Sequence, residues 1–85
     1  MWPMRKQRNY VVKPTGRSGF VYRDGDRAVS VFSEMLVRDD FDIVAYLSRI
    51  DYWDSPEGPI PLTDEDRARI EQNAEEGLRV KIEWA

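Results

Sequence analysis

Carboxylates are the only side chains in this sequence suited to acid/base work, and the candidates fall in three groups: Asp39 with Asp40, Asp51 with Asp54, and Asp64 and Glu65 with Asp66. Glycosidase-type chemistry needs two carboxyls facing each other across a substrate cleft, one with its pKa raised by burial. These groups fall instead on turns and at a helix start, where acids are ordinarily solvated or capping. The 85 residues include no His and no Cys. That composition excludes an imidazole acid/base, a thiol nucleophile, a disulfide and a zinc site of the common kind. No catalytic residue is expected, and recognition through a surface is the means of action left.

Other chemistries fare no better. Calcium needs oxygen ligands at alternating positions around a suitably placed glycine, whereas Asp51 to Gly58 offers Asp, Asp and Glu at uneven spacing. Gly16, Gly19 and Gly25 have neither the spacing of a phosphate-binding loop nor a helix behind them, so they are turn residues. No metal and no cofactor is expected. Arg5, Lys6, Arg8, Lys13 and Arg17, with Trp2 and Tyr10, could track phosphates and stack bases. The net charge of −3 for the whole chain argues against a nucleic-acid footprint, which is usually strongly basic.

Charge is unevenly placed. Residues 1 to 38 hold eight basic and three acidic groups, a net +5, while residues 39 to 76 hold twelve acids against Arg49, Arg67 and Arg69, a net −9. An acidic surface suits a basic partner, because complementary potentials raise association rates and exclude wrong partners. The expected partner-binding set is therefore Asp39, Asp40, Asp51, Asp54 and Glu57, with Tyr52 or Trp53 as aromatic anchor. For Trp53 the favoured reading is a cap over the core edge, its indole N–H bonded to a loop carbonyl. Alternation makes Tyr52 the better exposed of the two.

The elements that must position these residues read as follows. Residues 1 to 9 are expected to be a basic flexible arm and residues 10 to 85 a single domain, since a chain of this size supports one core. Tyr10-Val11-Val12 is a short strand ended by Pro14. Phe20-Val21-Tyr22 and Ala28 to Phe32 form a hairpin about Asp24-Gly25-Asp26, with Val29 and Val31 pointing one way and Ala28, Ser30 and Phe32 the other. Residues 33 to 37 either continue that strand or turn. Phe41 to Leu47 is a further strand, expected to lie centrally in the sheet. Between Ser48 and Leu62 three prolines argue against regular pairing.

Thr63 caps a helix whose first turn carries Asp64, Glu65 and Asp66, which presents Ile70 and Ala74 on one face and is expected to end at Gly77. Leu78 to Trp84 closes the chain as a half-buried strand, with Leu78, Val80, Ile82 and Trp84 on one side. The order β-β-β-β-α-β predicts an α+β domain: a mostly antiparallel sheet of about five strands with one helix packed on a face. Nothing before Tyr10 is long enough for an apolar signal core, and no run approaches the roughly 18 apolar residues of a membrane span, so a soluble cytoplasmic protein is expected.

Several segments, taken in order, carry a resemblance: Phe41 to Leu47, Ser48 to Pro56 with its Trp53-Asp54-Ser55-Pro56 step, Ile60 to Arg67 with its Thr63-capped acidic start, and the closing strand. This order is similar to that of the immunity protein 74 family of bacterial polymorphic toxin systems, over roughly residues 10 to 84. The resemblance implies an intracellular protein that blocks a cognate toxin by direct binding and carries no catalytic residues. A basic nuclease domain is the partner such a surface would suit. Two readings from other classes stand beside it: a small regulatory nucleic-acid-binding protein using the basic arm, and a self-associating adaptor or homodimer pairing through a sheet edge.

Overall fold

The computed structural model describes residues 10–85, so the basic arm expected over residues 1–9 lies outside them. In chain order the elements are β1 (Tyr10–Pro14), a short 3-10 turn (Gly16–Ser18), β2 (Gly19–Asp24), β3 (Arg27–Met35), β4 (Ile43–Ala45), β5 (Tyr52–Trp53), β6 (Ile60–Pro61), α1 (Asp64–Leu78) and β7 (Ile82–Trp84). Five strands form one sheet in the order β1-β2-β3-β4-β7, antiparallel except for the parallel pair β4 and β7. A parallel pair needs a crossover, and α1 supplies it. The fold is α+β as the pattern predicts, with the order β-β-β-β-α-β interrupted only by the small β5–β6 pair.

The hairpin forms where its turn chemistry places it. Asp24 faces Arg27 across a two-residue loop, Gly25-Asp26, in which Gly25 has φ 67° and Asp26 does not share the positive φ. Glycine at the first central position is the pattern of a type II′ turn, whose twist matches that of the flanking strands. Alternation along β3 buries Val29, Val31 and Ser33 and exposes Ser30, Phe32 and Glu34, so the strand continues past Phe32 to Met35. The buried side joins Phe20 and Tyr22 of β2, Ala45 and Ile82 to meet Ile70 and Ala74 of the helix. Two layers enclose the core on one face of the sheet only.

Four expectations are corrected. The strand expected over Phe41 to Leu47 is regular only from Ile43 to Ala45, although it does lie inside the sheet with β3 on one side and β7 on the other. The helix does not end at Gly77. It runs on to Leu78, and Arg79 takes the left-handed cap at φ 58°, its N–H donating to the Glu75 carbonyl. Gly77 serves packing instead: a Cβ there would meet Val12 Cγ2 at 3.1 Å, so its absence lets the helix lie close on β1. The closing strand is correspondingly short, since Leu78 belongs to the helix and Arg79 to its cap, yet Leu78, Val80 and Trp84 still pack against the core.

The segment from Ser48 to Leu62 is the fourth. Despite its prolines it carries a paired strand, with Tyr52 opposite Pro61 and Trp53 opposite Ile60. One step outward the Leu62 N–H donates to the Asp51 carbonyl at 2.9 Å. Hydrogen-bonded and non-hydrogen-bonded pairs alternate in an antiparallel ladder, so Pro61 occupies a non-bonded position where its missing N–H costs nothing. The same segment also rejoins the main sheet. Ser33 faces Ala45, and in unbroken register Ala28 would face Ile50; it faces Asp54 instead, with bonds of 2.8 and 2.9 Å in both directions. The chain opposite β3 thus loops out by four residues before it returns.

Candidate functional site

Trp53 anchors the β5–β6 pair from within. It is fully buried, with the Arg27 guanidinium 5.1 Å from its ring centroid. Its indole N–H donates to Asp66 Oδ2 at 3.0 Å, a carboxylate at the helix start and not the loop carbonyl expected. Asp66 is also the third helical residue of a capping box. Its Oδ2 accepts the Thr63 N–H at 3.0 Å, and Thr63 Oγ1 accepts the Asp66 N–H at 3.1 Å. Arg69 completes the set with 2.7 Å to Oδ1. Burial pushes the Asp66 carboxyl up, but the Thr63 N–H, the Trp53 indole, the Thr63 hydroxyl and the Arg69 guanidinium together hold it below the usual carboxylate range.

This arrangement corrects the anchor reading of Trp53, which has no surface to offer a partner. Tyr52, next to it and on the other side of the strand, is 56% exposed. Asp51, Asp54 and Glu57 are exposed around it. Asp54 meets the rest of the fold through its backbone, as does Glu57, whose N–H donates to Ser55 Oγ at 3.3 Å. The carboxylates are therefore free of structural duty, apart from a 3.8 Å approach of Asp51 to Arg67.

Asp39 and Asp40 do not join this group. They lie in the β3–β4 connection, between Leu36 and Asp42, whose backbones bond at 2.9 Å. Asp54 sits beside Ala28 at the other end of β3, and seven residues of strand put the two groups roughly 20 Å or more apart. Asp40 is also engaged: Arg38 bonds it at 2.9 and 3.1 Å and holds its carboxyl below the usual range, while reaching Glu83 at 2.8 Å. The expected acidic set is thus two separate groups.

Three acids that the sequence reading assigned to turn and cap do join Asp51, Asp54 and Glu57. Asp26 sits in the β2–β3 turn beside Ala28 and its partner Asp54, and Asp64 and Glu65 are exposed at the start of α1, just after the Asp51–Leu62 bond. The arginines at this end are held by the fold. Arg27 stacks on Trp53, Arg67 donates to the carbonyls of Leu47 and Ile50, and Arg69 binds Asp66 and approaches Asp24 at 3.8 Å. The result is an end of the molecule where these acids are exposed while Arg27 and Arg67 are half-buried and the exposed Arg69 is already paired. No group of three or more carboxylates among the described residues is close enough to hold a metal ion. No helix among them is long and apolar enough to cross a membrane.

Fold and surface together define a small two-layer α+β domain with one acidic end and one uncovered sheet face. The model of the immunity protein 74 family matches residues 14–83, most of the chain, and the protein belongs to that family. No curated protein and no solved structure matches it.

Proposed function

We propose that the protein neutralises a cognate bacterial toxin by binding it directly, with Asp51, Asp54 and Glu57 of the acidic end as the contact and Tyr52 as its aromatic anchor. Family membership over residues 14–83 carries the immunity reading. The choice of surface follows from the engaged arginines: Arg27 and Arg67 are half-buried and Arg69 is paired with Asp66. Among the described residues Asp54 and Glu57 therefore face no cation, Asp51 meets only the 3.8 Å approach of Arg67, and the three present a net negative field to a basic partner. A nuclease with a basic substrate groove is the toxin class that this field suits. Binding by such a surface requires no catalytic group.

Changing Asp51, Asp54 and Glu57 together to Lys tests the reading, since the side chains of Asp54 and Glu57 make no contact the fold needs. Association with the cognate toxin is expected to slow by at least about tenfold, with the circular dichroism spectrum unchanged. An unchanged association rate discards this surface. Tyr52→Ala is expected to act on dissociation instead, weakening the complex by about 2 kcal/mol or more if the ring fills a partner pocket. Deleting residues 1–9, which precede the family match, is expected to leave neutralisation intact; if protection is lost with the arm, those residues belong to the contact.

A further inference from the structure

The face of the five-stranded sheet that α1 leaves uncovered is divided by charge. Lys13 of β1 and Arg23 of β2 are exposed toward one corner and form no ion pair with any described residue. The register sets Arg23 beside Ala28, near the start of β3, and Lys13 beside Val21. At the diagonal corner stand Glu34 and Glu83, which flank Val44 on either side. Arg38 offsets Glu83 but is shared with Asp40, and Arg49 lies 5.0 Å over the Tyr46 ring. Between the corners runs an apolar band in which Phe32, 52% exposed, lies 5.7 Å from Tyr46.

A partner of one sign meets repulsion at one corner of such a face. The basic toxin proposed above would be repelled by Lys13 and Arg23. A second copy stacked face to face, about a two-fold axis that lies in the interface plane and crosses the diagonal between the corners at a right angle, brings Lys13 and Arg23 of each chain over Glu34 and Glu83 of the other, with Phe32 meeting its own copy near the axis. That is the self-complementarity an isologous interface requires. Strand spacing and row spacing give a face roughly 25 Å on a side with its side chains, of the order of the ~800 Å² per partner that stable interfaces bury. We infer that the protein forms a two-fold homodimer through this open sheet face, leaving the acidic end of each copy free. The inference does not rest on the toxin reading.

Sedimentation equilibrium of the full chain, from about 1 to about 200 µM, is expected to show a reversible dimer. Arg23→Glu and Glu34→Arg are each expected to raise its dissociation constant about tenfold or more, and the two combined to restore it, because each repulsive pair becomes an attractive one. Phe32→Glu is expected to abolish it, with circular dichroism confirming the fold in every variant. Three outcomes overturn the inference: a monomer at every concentration, a dimer indifferent to Phe32→Glu, or a double charge swap that associates no better than the singles. A monomer that loses toxin neutralisation on Phe32→Glu overturns it as well and assigns the face to the toxin.

Discussion

Asp66 holds three things at once: the helix start through Thr63, the β5–β6 pair through the Trp53 indole, and Arg69. Trp53→Phe keeps most of the buried ring but removes the indole donor to a charged acceptor along with some packed volume, so it is expected to cost about 2 kcal/mol or more in urea unfolding near neutral pH. The pH dependence gives a second readout. A carboxyl whose folded pKa lies below its unfolded value of about 3.9 contributes stability above that pH and loses it as pH falls through the folded value. Losing the indole donor raises the folded value, so the stability difference between neutral and strongly acid solution should narrow in Trp53→Phe. An undiminished acid dependence would mean that the indole does not hold the carboxylate. The exposed half of this site was legible in the sequence, since strand alternation sets Tyr52 outward next to an inward Trp53. The Trp53–Asp66 bond was not, because no periodicity connects an aromatic in a proline-rich loop to a capping residue thirteen positions later.

Local chemistry announces some elements and hides others. The β2–β3 hairpin was legible because Gly25 and the alternating valines of β3 agree, and the start of α1 because Thr63 and three acids agree. The end of α1 was misread for a physical reason: Gly77 looks like a terminator but is there to let Val12 approach, while the left-handed cap falls to Arg79, which carries a Cβ. Left-handed backbone costs an ordinary residue about 1 kcal/mol that glycine escapes. Arg79→Gly is therefore expected to stabilise the domain by about 0.5–1 kcal/mol, read as a raised urea midpoint at unchanged slope. A lowered midpoint would show that the Arg79 side chain contributes more than its backbone costs. The β5–β6 pair escaped the sequence reading because two-residue strands have no period to detect. Pro61 argued against pairing, yet its place opposite Tyr52 asks for no N–H.

At the scale of the whole molecule, a net charge of −3 conceals separate fields: an acidic end, a cationic corner on the open sheet face, and a more distant pair, Asp39 and Asp40, partly neutralised by Arg38. The halves of the sequence showed that the signs are segregated, but linear order could not show that β3 would carry Asp39 and Asp40 away from Asp54. Nor could it bring Asp26, from the basic half, beside the acids of the second. If the acidic end steers a basic toxin, acids outside the contact should matter for encounter and not for residence. Neutralising Asp26, Asp64 and Glu65 together to Asn, Asn and Gln is thus expected to slow association about three- to tenfold at low salt while leaving dissociation unchanged. The difference should vanish in high salt, where screening reduces the field to a few ångströms. Removing two acids from the first turn of α1 also costs some helix stability through the macrodipole, so unfolding must be measured alongside. A change confined to dissociation would place these side chains within the contact itself, whereas no change in either rate would mean that the field at this end does not guide the encounter.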